Sequence, residues 1–555
     1  MIGLVAVTTA GRTSAARLDA AWPGRTRRYD GPAKQVLPRA WAECDDIVCF
    51  LAVGATTRII APLLKSKWTD PAVVCVDESA RHAVALVGGH AAGANELAAR
   101  VAGVLGAEPV VTTATDVTGL PGLDTLGWPA EGAIAAVSRA LLDKKPTILE
   151  TDVTWPIPAL PVTAGGAAEH RIVITDRIVP ANDRTVVLRP PSLVVGVGAS
   201  RGVSEEEVLG LIAEALVSAG LSAASVTALA TVEAKAAEEG IVAAARRRSW
   251  PVITHPADRL ASVPVPNPSD AVLAAVGTPS VAEAAALASA DELVAEKRKS
   301  AMATVAIARR RPRGRLALVG LGPGSRDLLT PRAVAELRRS SVVVGLHAYV
   351  DQVADLLRPG TRVLASELGQ EEARARTAVE QARSGHAVAL VGSGDAGVYA
   401  MASPALSLAG DDIDVVAVPG ITAGLASAAL VGAPLGHDHA VISLSDLHTP
   451  WEVIERRVRA AAEGDFVVVF YNPRSRGRDW QLGAALEILG RHRAGDTPVA
   501  VVRDAYRSGE QATVTTLADL DPAAVDMRCV VIVGAASTRT IAGRMVTPRG
   551  YGWLR

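Results

Sequence analysis

The chain has 555 residues, too many for one hydrophobic core, and predicts about three to five domains. A formal net charge of -1 and 3% aromatic residues give no electrostatic or stacking case for nucleic acid or a membrane surface as partner. No apolar run reaches the ~18 residues of a bilayer span, and Cys44, Cys49, Cys75 and Cys529 lack CxxC spacing, so a reducing cytoplasm is expected rather than a disulfide scaffold or zinc ribbon.

The opening MIGLVAVTTAGR lacks a positive n-region and reads as a first strand, not a signal peptide. From there, short β-branched runs (3–8, 47–51, 73–76, 84–87, 110–113, 193–197) alternate with Ala/Leu/Glu/Arg-rich stretches of helical length. Continuous apolar strands between helices predict α/β domains of three layers, with parallel sheets covered on both faces. Prolines 156, 158 and 161 with Gly165-Gly166 mark a small module near 130–190, and a new α/β unit starts at Ser192. The run Arg309-Arg310-Arg311-Pro312-Arg313-Gly314-Arg315 reads as a solvated linker before a fresh strand at Leu316.

In the first half, strand ends carry the polar residues. Val74-Cys75-Val76-Asp77-Glu78 ends in two acids, and Val87-Gly88-Gly89-His90 ends in an imidazole suited to act as a base near neutral pH, followed by Asn95. The same residues also suit a hairpin turn and an N-capped helix. Val111 to Asp116 is a further hydroxyl-rich strand end. Gly198-Ala199-Ser200-Arg201-Gly202 has the G-x-S-x-G spacing of a nucleophile elbow, but His255 gives no convincing acid–histidine order, so a tight turn suited to an anion is expected. Ser204 with Glu207 forms a capping box for the next helix.

In the second half, Gly320-Leu321-Gly322-Pro323-Gly324 follows a strand, and Thr330 with Pro331 starts a helix. The loop lacks the Gly-Lys-Ser/Thr ending of a phosphate-binding P-loop. Val388 to Ala402 (VALVGSGDAGVYAMA) is a strand, a turn of small residues, and a segment from Val398 that could open a helix. Gly392, Gly394 and Gly397 fit the dinucleotide fingerprint, but the next strand ends in Pro419-Gly420 instead of an acid. A nicotinamide site is a poor fit, and a cradle for another flat ligand a better one. His437, His439 and His448 with Asp438 and Asp446 lie within twelve residues, but their spacing is poor for a metal; a polar wall facing a polar or acidic substrate is expected, with Arg474 and Arg476 able to grip carboxylates.

The ordered set VGLGPGSRDLLTPRA, GSGDAGVYAMASPAL, PGITAGLASAALVGAPLGHDHAVISLSDLHTPW and FVVVFYNPRSRGRDWQL resembles precorrin-3B C(17)-methyltransferases, of the tetrapyrrole (class III) S-adenosylmethionine methyltransferases. The pieces GATTRIIAPLLKSKWTDPAVVCVDE, GGHAAGANELAARVAGVLGAEPVVTTATD, VVGVGASRGVSEEEV and GTPSVAEAAAL resemble cobalt-precorrin-5A hydrolases of cobalamin biosynthesis. The two resemblances imply a fusion of two cytoplasmic enzymes of corrin synthesis. They imply hydrolase-like modules over 1–130, 131–190 and 191–308, a linker at 309–315, and a two-subdomain tetrapyrrole methylase fold over 316–432 and 433–555. The methylase resemblance implies S-adenosylmethionine lined by Pro323, Gly392, Ser393, Gly394, Asp395, Val398, Tyr399, Thr422, Ala423, Asn472, Thr515 and Thr516. Methyl transfer then rests on positioning, and the coupled ring contraction wants a base among His437, His439, Asp446 and His448. The hydrolase resemblance implies lactone opening with loss of acetaldehyde, for which Glu78, His90 and Asn95 are the candidates. The two resemblances together imply tetrapyrrole intermediates as the molecules bound and no protein-held metal (any cobalt travelling with the substrate), and the methylase resemblance implies a homodimer through that half. The alternative is that only the methyltransferase half is active and the first half binds or channels corrinoids.

Overall fold

The structure, a computed structural model, describes residues 1–66, 69–89, 92–113, 118–163, 165, 168–180 and 182–550. It divides into two compact units, one of Met1–Val153, Leu160–Pro312 and Arg358–Gly360, the other of Thr154–Ala159, Arg313–Leu357 and Thr361–Arg555.

In the first unit a six-stranded sheet runs, edge to edge, Thr26–Tyr29, Ile2–Ala6, Asp46–Phe50, Ala72–Val76, His82–Val87, Glu108–Val110. Its strands Ile2–Ala6, Asp46–Phe50 and Ala72–Val76 are apolar almost without alternation because both faces are covered, whereas the edge strands Thr26–Tyr29 and Glu108–Val110 are largely exposed. Leu4 and Ala6 enter one core with Leu97 and Val101 of helix Ala94–Leu105, and Val5 enters the opposite core with Leu37 and Ile60. Within this sheet the parallel reading fails at one place: Ala72–Val76 and His82–Val87 are antiparallel. The five residues 77–81 are too few for the crossover that a parallel pair needs, so the chain turns back as a hairpin. Asp77 fixes that turn, its carboxylate accepting from the amides of Ser79 (2.9 Å), Arg81 (3.1 Å) and His82 (2.6 Å).

A four-stranded sheet follows, then a five-stranded one ordered Val252–His255, Val226–Val232, Leu193–Ala199, Ala303–Arg309, Glu292–Lys299. The first three of these run parallel and the last two antiparallel to their neighbours. Ser204 caps helix Glu205–Ser218 by accepting from Glu207 N (3.1 Å). The Glu207 carboxylate accepts from Met302 N (2.7 Å) and Ser300 Oγ (2.6 Å), tying the helix start to a hairpin turn.

The arginine run read as a solvated linker is largely tied down. Arg309 ends a strand and pairs with Asp176 (2.7 Å) and Glu292 (3.0 Å), Arg313 pairs with Asp414 (3.1 Å), and Arg315 opens the next strand and pairs with Glu336 (2.7 Å). These counter-charges come from distant stretches of each unit, which a local charge count does not see. All four cysteines are buried thiols, and burial pushes the Cys75 pKa up to about 11. No single helix among the described residues is long and apolar enough to cross a membrane.

The second unit carries an all-parallel sheet, Arg362–Ser366, Val342–Leu346, Ala387–Gly392, Arg315–Gly320, Asp414–Val418. Leu316 and Leu318 enter the core under helix Glu371–Arg383, while Ala317 and Val319 enter the core under helix Pro331–Arg339. Thr330 Oγ1 caps that second helix on Ala333 N (3.2 Å), as its sequence requires. A mixed sheet, His439–Ser443, Val467–Tyr471, Cys529–Val533, Pro498–Arg503, Gln511–Thr516, completes the unit around the fully buried Phe470.

Candidate functional site

Ligands of parallel α/β sheets gather at the carboxyl ends of the strands. At that edge of the all-parallel sheet, three adjacent strands end in the turns Gly320-Leu321-Gly322, Gly392-Ser393-Gly394 and Pro419-Gly420. They meet through bare backbone: a Cβ on Gly420 would stand 2.1 Å from Gly394 O, and one on Gly320 2.7 Å from the same oxygen. Gly322 and Gly394 exchange hydrogen bonds of 3.0 and 2.8 Å at φ 73° and 68°, a backbone that side-chain-bearing residues adopt only under strain. A Cβ on Gly392, by contrast, would meet nothing within 4 Å although the residue is buried, so open space adjoins that strand end. Asp395 staples the turns. Its carboxylate accepts from Gly397 N (2.8 Å) and from Gly420 N (3.0 Å).

Residues 398–401 do not open a helix. Tyr399 sits at φ 50°, and the helix begins at Ala402. That excursion carries Tyr399 to the second sheet, where its hydroxyl donates to Val441 O (3.0 Å) and accepts from Ser443 N (3.1 Å). Its ring packs tilted on Tyr471, centroids 5.5 Å apart. The Tyr471 hydroxyl meets Thr422 Oγ1 (2.6 Å) and accepts from Gly424 N (2.5 Å), in the first turn of helix Ala423–Val431. Burial pushes the Tyr471 pKa up, keeping it a neutral phenol. Asn472, at φ 50°, donates to Ser443 Oγ (3.0 Å). Arg507, from the loop after strand Pro498–Arg503, donates to Pro323 O (2.5 Å) and Ser393 Oγ (2.6 Å).

Tyr471→Phe keeps the ring and removes the hydroxyl that serves Thr422 and Gly424. With a buried amide left unmet, the loss is about 1–3 kcal/mol. Amide exchange across helix Ala423–Val431 is expected to quicken by about 5- to 150-fold, as read by exchange mass spectrometry; unchanged protection there would refute the assignment.

Residues 315–521 match the family model described as tetrapyrrole (corrin/porphyrin) methylases. A Salmonella typhimurium protein named probable cobalt-factor III C(17)-methyltransferase is 46% identical over 239 residues, 42% of this chain and 99% of that protein. The chain belongs to the tetrapyrrole methylase family. A Sinorhizobium precorrin-3B C(17)-methyltransferase is 40% identical over 249 residues, 43% of this chain and 97% of that one. Other relatives are longer, and the chain spans about half their length. The crystal structure of the methyltransferase CobJ aligns with 41% identity and a TM-score of 0.41, over 42% of this chain and all of that one. Ahead of the methylase region, residues 35–116 and 193–308 match the models described as cobalamin synthesis G N-terminal and C-terminus, so one chain carries both kinds of part.

Within the methylase region, Pro323, Ser393, Gly394, Asp395, Tyr399, Thr422 and Asn472 share one neighbourhood through the bonds above; Gly392 and Val398 lie in the same loop, and Ala423 N would lie 3.6 Å from a Cβ on Gly394. Thr515 and Thr516 do not join them. They pair with Val499 and Pro498, at the end of the mixed sheet away from Tyr471, and Thr516 Oγ1 donates to Asp519 (2.7 Å). The four candidate bases also divide. His437 and His439 stand before or at the start of strand His439–Ser443, beside a hollow of about 430 Å³, whereas Asp446 and His448 follow its carboxyl end. Asp446 is held there by Gln481 Nε2 (2.8 Å) and faces the buried Arg478 (3.9 Å). Among the described residues no group of three His, Cys, Asp or Glu is set to hold a metal. Arg474 donates to Ala523 O (2.7 Å).

In the first unit the hairpin separates the candidates. Glu78 lies in its turn, accepting from Thr8 Oγ1 (3.0 Å), while Gly88-Gly89 follow the far end of the second strand, where a Cβ on Gly88 would lie 3.2 Å from Ala72 Cα. Two strand ends read as neighbours therefore face opposite edges, about 16 Å apart along a five-residue strand. His90 lies outside the described residues. Asn95 Nδ2 donates to Thr113 Oγ1 (2.7 Å), so one of its amide hydrogens is already engaged.

Tyr471 and Arg507 were missed from sequence. Each acts on a loop far away in the chain, and the one trace of Arg507 is Gly324, whose Cβ would fall 2.5 Å from Arg507 Cγ.

Proposed function

We propose that the methylase region methylates carbon 17 of precorrin-3B or cobalt-factor III with ring contraction, giving precorrin-4 or its cobalt form. The first unit, on the same reading, opens the lactone of cobalt-precorrin-5A and releases acetaldehyde. The observation that carries the first part is the 46% identity over 99% of a cobalt-factor III C(17)-methyltransferase. The second rests on the two cobalamin synthesis G matches. On this reading residues 1–130, 131–190 and 191–308 are the hydrolase modules, 316–432 and 433–555 the methylase lobes, and the protein a homodimer through those lobes.

The cradle fits S-adenosylmethionine: Gly392 borders open space, and the touching glycine turns leave main chain in place of side chains against a flat nucleoside. The bound donor supplies an electrophilic methyl group. The chain's own residues do the positioning. Asp395 locks the turns, Arg507 spans Pro323 and Ser393, and Tyr399 with Tyr471 links the loop to the second sheet. Asp446 and His448 stand at the same strand end as Ser443 and Asn472 and are the better candidates for the base.

Incubating the full chain with a precorrin-3-level substrate and labelled S-adenosylmethionine is expected to add one labelled methyl to the product. Binding of NADPH with no label transferred would overturn the methyltransferase reading. Acetaldehyde release from cobalt-precorrin-5A, assayed with the same preparation, tests the first unit; its absence would leave that unit as a corrinoid binder.

A further inference from the structure

The G-x-S-x-G turn of the first unit opens on a hollow of about 640 Å³ at the carboxyl end of strand Leu193–Ala199. It is not a nucleophile elbow. The imidazole at the end of strand Val252–His255 pairs with Ser289 Oγ (2.7 Å), and Ser200 Oγ has no hydrogen-bond partner among the described residues. The wall carries four cations, Arg201, Lys235, Lys297 and Lys299, and no carboxylate. Lys235 is matched by Glu238 (3.2 Å), whose other oxygen accepts from Gly202 N (2.6 Å). Lys297 and Lys299 of strand Glu292–Lys299 both line the hollow, Lys297 from the stretch where the strand's register shifts between Ala295 and Arg298. The Lys297 ammonium donates to Asn267 O, a neutral partner. The buried Glu283 of this region is engaged by the amides of Asn267 (3.2 Å) and Lys297 (3.1 Å) and by Ser280 Oγ (3.3 Å). The lining also has apolar residues, Val272 and Val276 from helix Asp270–Val276 and Met302 from the hairpin turn.

The lining itself carries cations and no carboxylate, the acids behind it (Glu207, Glu238, Glu283 and Glu296) being engaged by hydroxyls, N–H groups and Lys235, so an entering anion meets a positive surface. A bare anion would leave the apolar lining unused. We propose that this hollow binds a small molecule bearing two or more carboxylates on an apolar body. Arg201, Lys297 and Lys299 take the carboxylates, Ser200 donates a hydrogen bond, and Val272, Val276 and Met302 cover the body. The site lies outside the methylase region and does not depend on methyl transfer.

Ala301 lines the hollow and is exposed, and the four native thiols are buried, so Ala301→Cys in the full chain takes an environment-sensitive dye at one position. Titration with benzene-1,3,5-tricarboxylate is expected to give a saturable shift. Adding Lys297→Gln with Lys299→Gln should weaken it by about tenfold or more, while Lys297→Arg with Lys299→Arg should retain it. Benzene-1,3,5-trimethanol, the same body without charge, should give no shift. Absence of saturation, equal affinity in the Gln variant at unchanged melting temperature, or inorganic phosphate binding as tightly as the tricarboxylate would each overturn the proposal.

Discussion

Gly420→Ala is expected to abolish S-adenosylmethionine binding by the full chain. The added methyl would stand 2.1 Å from Gly394 O and 2.8 Å from Gly320 C, all of it main chain with no rotamer to yield. Relief requires the ends of two neighbouring strands to part by about 1 Å, which disrupts the paired bonds between Gly322 and Gly394 in a close-packed interior. Overpacking typically costs about 1–3 kcal/mol and occasionally more, and a clash with main chain alone stands at the upper end. Calorimetric titration with S-adenosylmethionine should show no heat. Affinity within a few-fold of the parent would mean that the turns do not form the cradle.

The second large effect is expected from Asp395→Asn, which preserves size but turns one of two acceptors into a donor facing a backbone N–H. One charge-assisted bond, to the exposed Gly397 amide or the half-buried Gly420 amide, is lost. The cost is about 1.5–3 kcal/mol, or a weakening of donor affinity by about 10- to 150-fold. Because the carboxylate positions the turns and does not touch the reacting atoms, the dissociation constant should carry most of the change, with the rate at saturating donor altered far less. A variant that keeps its affinity and loses its rate would place Asp395 in the chemistry instead.

The glycine turns were legible because a strand that ends in residues without side chains announces close approach in the sequence itself. Gly320, Gly394 and Gly420 do touch, and both cores beneath their sheet follow from unbroken apolar runs such as Leu316–Val319. What the sequence hid is pairing at a distance. Direction was assumed for the strands on either side of Asp77, and a five-residue turn reversed it, moving Gly88-Gly89 away from Glu78. Clustering in sequence joined His437 and His439 to Asp446 and His448, although a strand lies between the pairs. Tyr399 read as a helix start because nothing local reveals that its backbone swings to φ 50° to reach Val441 and Ser443.

That reach of Tyr399 has an effect beyond the pocket. Strand His439–Ser443 is outermost in its sheet, and such a border offers unpaired amides and carbonyls on which a foreign strand can build. One phenol occupies an acceptor and a donor of that border at once, at Val441 and Ser443. The loop that shapes the cradle thereby also blunts an adhesive rim, so damage to it exposes the molecule to self-association as well as to loss of ligand.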